Sequence, residues 1–218
     1  MNEILRRRRG MMGAKSTPLE YVADGLGLHL DAIDNKGTEH DSTYYDWVDK
    51  INGYVFDQRP NGSEIAFEPK CFNFTGNIWF VRTAMNLSWN TVEICGEFEE
   101  TNTNTQVIFQ TNNSSTLSTA CLKAGNVVFG NGGVKSTKII NGRHTYCYNG
   151  SKVYVDGVEA QTQNTTASWS ANNTCIGAYS SQSQYILHGK IYSIRCYNRS
   201  LSEAEIANNA TVDATRFS

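Results

Sequence analysis

Glu93, Glu97 and Glu99 fall at odd-numbered positions of Glu93-Ile-Cys-Gly-Glu-Phe-Glu-Glu100, so a regular strand would place all three on one face. Glycoside hydrolysis needs two carboxyl groups facing each other across a cleft, and this segment is the nearest local supply of them. The alternative is a strand with one solvated face running into an acidic loop, and that is the reading adopted. His29, His40, His144 and His188 are far apart in the chain, and no serine sits in a nucleophile-elbow motif, so a triad has no support. No catalytic residue is assigned, and the chain is read as non-enzymatic.

Binding chemistry has better candidates. Tyr44, Tyr45 and Trp47 close the polar loop from Asp34 to Tyr45, and Trp89, Trp169 and Tyr179 lie in or beside Asn/Ser-rich turns. Exposed aromatic rings can stack on sugar faces while neighbouring amides and hydroxyls hydrogen-bond, provided that the rings converge. Tyr44, Tyr45, Trp47, Trp169 and Tyr179 are therefore the expected glycan contacts; the competing expectation is that these rings close the ends of a sandwich. Asp31, Asp34, Asn35 and Glu39 offer hard oxygen donors in one short stretch, although their spacing is not that of an EF-hand.

The elements that would carry these residues are strands. The 218 residues suit one large all-β domain, with 18% charged and 11% aromatic residues and 18 Gly, and a net charge of −2 gives no reason to expect nucleic acid as the main partner. No apolar run approaches membrane-spanning length, so a soluble protein with no membrane partner is expected. Short apolar or alternating runs separated by turn clusters make roughly a dozen strands from Leu26 onward. The clearest segment runs from His144 to Thr162, where Asn149-Gly150 and Asp156-Gly157 are hairpin turns separating three strands. Two-residue loops would pair Tyr148 with Ser151, Tyr146 with Val153, Val155 with Val158 and Val153 with Ala160, gathering Tyr146, Tyr148, Val153, Val155, Val158 and Ala160 on a buried face. Thr145, Cys147, Lys152, Tyr154, Glu159 and Gln161 take the other face. Near the C-terminus a long strand leads to Ser202 as N-cap, with Glu205 as its reciprocal partner and Leu201 able to staple onto Ile206, which predicts a helix from Glu203 to about Asn209.

The segment Gly189-Lys-Ile-Tyr-Ser-Ile-Arg-Cys-Tyr-Asn-Arg-Ser-Leu-Ser-Glu-Ala-Glu-Ile206, taken with the Tyr-Val-Asp-Gly hairpin, resembles the laminin-G-like, concanavalin A-like jelly-roll family. Leu26-Gly-Leu-His-Leu-Asp31 and Trp47-Val-Asp-Lys-Ile-Asn-Gly53 look like the first strand and the tryptophan-containing turn of the same modules. The resemblance implies an all-β jelly-roll sandwich of two antiparallel sheets with a short C-terminal helix. It leaves the ligand open, because a shared fold does not fix a function. It raises calcium as a cofactor for Asp31, Asp34, Asn35 and Glu39, against the simpler reading of a polar loop with no cofactor. Related glucanases carry a Glu-x-Asp-x-x-Glu alternation that is missing around Glu93.

Cys71, Cys95, Cys121, Cys147, Cys175 and Cys196 form no Cys-x-x-Cys pair, which excludes the usual metal-ligand spacing. The chain opens on Arg6, Arg7, Arg8 and Arg9 followed by Gly-Met-Met-Gly-Ala-Lys rather than an apolar stretch, which argues against export, so free buried thiols are expected over disulfides. Residues 1–22 are read as a basic arm and 23–218 as the jelly-roll domain. The short start followed by a laminin-G-like domain resembles structural proteins of tailed phages and prophages. That second resemblance implies a virion surface component in a multi-copy assembly, with Arg6 to Arg9 anchoring it to other virion or capsid proteins and the domain free to bind glycans weakly. The alternatives are a carbohydrate-binding module at a bacterial cell surface and a degenerate glycoside hydrolase.

Overall fold

A computed structural model describes residues 19–60, 66–75, 78–99, 105–113, 116–130, 135–150, 152–162, 169–179 and 185–218. In chain order the strands are β1 (Leu26–Asp31), β2 (Trp47–Val48), β3 (Val55–Arg59), β4 (Ala66–Glu68), β5 (Cys71–Thr75), β6 (Trp79–Arg82), β7 (Leu87–Trp89), β8 (Thr91–Phe98) and β9 (Gln106–Asn113). They continue as β10 (Thr116–Lys123), β11 (Asn126–Phe129), β12 (Lys135–Lys138), β13 (Arg143–Asn149), β14 (Lys152–Val155), β15 (Val158–Thr162), β16 (Trp169–Ala171), β17 (Asn173–Ile176) and β18 (His188–Tyr197), and the helix α1 spans Glu203–Arg216.

Two antiparallel sheets of eight strands each make an all-β jelly-roll sandwich. One runs β15-β14-β13-β8-β18-β5-β4, with β1 sharing an edge of β18 beside β5; the other runs β12-β11-β10-β9-β17-β6-β3-β2. Inward side chains from both sheets form a single apolar core, with Trp47, Phe72 and Phe80 clustered at one end and Phe109, Trp169 and Tyr148 at the other. The small β7–β16 sheet pairs Trp89 directly with Trp169, and both rings are buried.

The meander forms with corrections to its register. The Asp156-Gly157 turn has φ of 49° and 82°, the left-handed pair a type I′ turn requires, and Val155 pairs with Val158 as expected. The first turn falls one residue later than expected, with Asn149 paired to Lys152 and Tyr148 to Val153. Asn149 is held as a strand residue because its side chain accepts from Thr91 Oγ1 and Leu201 N and donates to Leu201 O. The shift preserves the faces, so Tyr146, Tyr148, Val153 and Val155 still reach the core. Val158 does not: it is 70% exposed, and Ala160 is exposed too. Both lie on the outermost strand, where a bulge between Val153 and Tyr154 pairs Val153 with Gln161.

The other face of the meander is covered in part: Thr145, Cys147 and Tyr154 are buried, while Lys152, Glu159 and Gln161 keep contact with solvent. Helix α1 continues to Arg216, well beyond Asn209, and lies over the outer face of β8, β13 and β18, burying Cys147, Tyr154, Tyr197, Leu201 and Ile206 in one cluster. Its start is as expected: Ser202 and Glu205 form a capping box. Its second half is rich in Thr, Val and Asp, weak helix formers, and it persists because Val212 and Asp213 are buried against the sheet. A bulge at Tyr192 sets the β18 face that α1 covers, since it turns Ser193, Arg195 and Tyr197 outward and Ile194 and Cys196 inward. Tyr21 and Val22, assigned to the arm, pack on this helix: Tyr21 Oη donates to Asp213 and Val22 N to Asn209 Oδ1. All six cysteines are unbridged and buried.

Candidate functional site

The Tyr44–Tyr45 corner is a pocket of about 450 Å³, lined by Thr43, Tyr44, Tyr45, Asp46, Asp57, Gln58 and Arg59. The loop before β2 is shaped by Asn35, a buried residue whose amide donates to the carbonyls of Asp41 and Tyr44 and whose oxygen accepts from Asp41 N. That clamp presents Tyr45 outward, 46% exposed, whereas the Lys36 ammonium lies 5.6 Å from the centroid of the Tyr44 ring and covers it. The β2–β3 ladder supplies the rest. Trp47 pairs with Phe56, so the next step of the register brings Asp46 beside Asp57, and Gln58 N donates to Asp46 Oδ1 at 3.0 Å. Arg59 stands 3.7 Å from Asp57, which is about half exposed. Burial and the charge of Asp46 hold the Tyr44 hydroxyl above the usual phenol range, with Asp57 adding to the effect and Lys36 opposing it.

Of the residues lining this pocket, the sequence reading names Tyr44 and Tyr45 and does not name Asp46, Asp57, Gln58 or Arg59. Their signal was the alternation Val55-Phe56-Asp57-Gln58-Arg59, whose outward carboxylate falls opposite Asp46 only once the β2–β3 register is known. The other expected glycan contacts do not join them. Trp47 and Trp169 are fully buried core residues, because their large rings fill the space between the sheets. Tyr179 is half-buried on another surface, edge-on to Tyr185 with centroids 5.6 Å apart.

The oxygen donors proposed for calcium do not converge. Asp31 is fully buried, with one carboxylate oxygen accepting from Ile33 N and the other paired to Arg216 at 2.5 Å. Asp34 meets Lys50 and, at 2.8 Å, Arg216; burial pushes its carboxyl up, but the two cations outweigh this and hold it below the usual range. Asn35 is spent on its own loop, and Glu39 pairs with Lys36 at 3.4 Å on the surface. These four therefore do not fit a calcium ion, whose coordination asks for 6–8 free oxygens. Among the described residues no group of three or more His, Cys, Asp or Glu side chains could hold a metal.

The carboxylates considered for acid–base chemistry are likewise committed. Glu93 lies fully buried beneath α1, 3.0 Å from Arg195 Nε, and accepts from Asn209 at 3.0 Å. Arg195 also donates to both oxygens of Asp213, at 2.7 and 2.6 Å. Thr145 and Tyr21, each 2.8 Å away, and Ser193 Oγ at 3.3 Å also donate to Asp213, and the Tyr21 ring lies 4.2 Å from the guanidinium carbon. Two carboxylates thus share one guanidinium. Burial raises the Glu93 pKa; Arg195 opposes that shift, and the charge of Asp213 reinforces it. Glu97 accepts from Tyr192 Oη at 3.1 Å, and Glu99 is exposed beyond the end of β8. His29 is buried and His188 exposed; His40 Nδ1 lies 2.9 Å from Ile33 O, and His144 bridges Asp156 at 2.6 Å and Asn141 O at 3.1 Å. Arg6 to Arg9 lie outside the described residues.

The two-sheet jelly-roll sandwich defines a concanavalin A-like domain, and the comparisons agree on that fold. Residues 61–207 match the laminin G-type family described as the concanavalin A-like lectin/glucanases superfamily, and the chain belongs to that family. No match was found among curated protein sequences. Among solved structures, Trypanosoma rangeli sialidase in complex with sialic acid is similar at 14% identity and a TM-score of 0.59, over 87% of this chain and 33% of that one. The chain therefore spans about a third of the sialidase's length. Domain 4 of AbnA, a GH43 extracellular arabinanase from Geobacillus stearothermophilus, in complex with arabinotriose, is similar at 16% identity and a TM-score of 0.59, over 85% of this chain and 98% of that one. The botulinum neurotoxin serotype D binding domain is similar at 15% identity and a TM-score of 0.58, over 86% of this chain and 52% of that one.

Proposed function

We propose that the domain is a non-catalytic glycan-recognition module that uses the Tyr45 pocket, and that the protein is displayed in many copies on a virion surface through its N-terminal arm. The observation that carries the first part is the pocket itself: an exposed tyrosine ring beside Asp46, Asp57 and Arg59 combines a stacking surface with hydrogen-bonding groups. The arabinanase domain supports it, because a ligand-bearing domain of the same fold is matched over nearly its whole length. That likeness equally favours a second setting, a carbohydrate-binding module appended to a larger bacterial protein.

Binding without cleavage is supported by the fate of the acids. Glu93 lies under a helix and Glu97 is bonded to Tyr192, so neither is free to face the other across a substrate. Asp46 and Asp57 do line the pocket, but Asp57 is exposed beside Arg59, and a general acid needs a setting that keeps it protonated. One shallow contact of this kind is weak, and useful attachment comes from many copies on one particle. The virion setting rests on the resemblance of the segment with Arg6 to Arg9, followed by a laminin-G-like domain, to structural proteins of tailed phages and prophages.

The test is a glycan array probed with the protein on a multivalent scaffold, run beside an assay for released reducing sugar. Array binding with no sugar release is the expected result. No binding to any glycan would remove the recognition reading, and release lost on changing Asp46 or Asp57 to Asn would show an active site instead.

A further inference from the structure

We infer that the pocket selects neutral glycans presenting adjacent hydroxyls and rejects acidic sugars, a conclusion that rests on the glycan reading above. The argument is one of charge and valence. Among the described residues the wall holds two carboxylates, Asp46 and Asp57, against one cation, Arg59, which already stands 3.7 Å from Asp57. Carboxylates only accept hydrogen bonds, so the complementary ligand group is a donor, and a pair of sugar hydroxyls supplies two. A sugar carboxylate placed here would meet two like charges and a cation committed to one of them.

The ladder makes the arrangement specific. Extending the β2–β3 register by one step brings Asp46 opposite Asp57, so two acceptors face the same space and a pair of sugar hydroxyls can bridge them. Asp46 keeps one oxygen on Gln58 N, which fixes its plane and leaves the other oxygen for a ligand. Tyr45 supplies the stacking face; Tyr44 does not, because Lys36 covers its ring and is itself held by Glu39 and Asp41, each at 3.4 Å.

The experiment compares multivalent conjugates of neutral arabinose, galactose and glucose oligosaccharides with sialylated and uronic acid conjugates on the full chain, by biolayer interferometry with and without calcium. At least one neutral conjugate binds, the acidic ones bind at least tenfold more weakly, and calcium changes neither. Asp57→Asn and Asp46→Asn each weaken neutral binding about tenfold, the loss expected for one hydrogen bond to a charged group. Asp46→Asn retains the oxygen that accepts from Gln58, and unchanged thermal melting of both variants shows that the fold is intact. Preference for acidic conjugates, or acidic binding that strengthens in either variant, would overturn the inference and leave glycan recognition standing. Silence on every conjugate would overturn both.

Discussion

The face under α1 and the corner around Tyr45 carry the same kinds of residue, and the fold treats them in opposite ways. Beneath the helix, Arg195, Glu93 and Asp213 are fully or almost fully buried, and the hydrogen-bonding groups of Asn209, Thr145 and Tyr21 close around them. At the corner, Asp57 is exposed and Asp46 and Arg59 are half-exposed, with two carboxylates to one cation among the described residues. Charge taken out of water must be paired and hydrogen-bonded, so the first set is bound to its own structure. Charge left at the surface costs little, so the second is available to a ligand. Sequence alone read Glu93 as one carboxylate of a strand's solvated face, with catalysis as the rejected alternative; it is instead fully buried beneath α1, which makes it a structural group.

The largest expected effect breaks that contrast at the buried end. Arg195→Met removes the cation that two buried carboxylates share, which should destabilise the protein by about 3–5 kcal/mol in urea unfolding. Asp57→Asn at the corner should change stability by less than about 0.5 kcal/mol. Similar costs for the two variants would show that the faces do not differ as described.

Gly157 tests how closely α1 is seated. Its φ is 82°, and an added Cβ would lie 2.6 Å from Ala207 Cα, so a side chain meets both a left-handed backbone and the helix. Gly157→Ala should cost about 1–3 kcal/mol, with increased hydrogen exchange in α1. Gly53 is also left-handed, with φ of 68°, but has open space around it, so Gly53→Ala should cost less and leave α1 unaffected.

The elements that could be read in advance are those specified by neighbours in the chain. The Asp156-Gly157 turn and the Ser202–Glu205 capping box each need a few adjacent residues, and both formed as expected. The first turn slipped by a residue because Asn149 is held by Thr91 and Leu201, groups distant in sequence. Trp47 and Trp169 sit beside polar segments and look like loop aromatics until both sheets are in place. The full length of α1 was hidden because its second half is a poor helix by propensity and is stabilised by burial. At the corner, Tyr44 and Tyr45 were readable as loop aromatics and only Tyr45 keeps its ring exposed, while the carboxylates beside them depend on strand register. The Glu93–Arg195–Asp213 cluster joins three distant positions, and no local pattern marks it.

Acid should sharpen the comparison by the smallest and most graded effect, because two groups on the α1 side lose stabilising interactions in different windows. Burial pushes His29 well below its ordinary value of 6.5, and the charges of Arg195, Lys50 and Arg216 push it the same way. The unfolded chain therefore takes up a proton near pH 6.5 that the folded protein refuses, so this contribution is complete above pH 6.5 and declines as pH falls below it. Glu205 is held at about 2, first by Arg199 and then by the Ser202 backbone. Its contribution is complete above its ordinary value of 4.5 and is lost as pH falls from there to about 2. Unfolding midpoints should thus fall in two stages on acidification. His29→Gln should flatten the upper stage and Glu205→Gln the lower, whereas Asp57→Asn should leave both in place. A single stage, or two stages that persist in both His29→Gln and Glu205→Gln, would mean that acid sensitivity arises elsewhere in the sandwich.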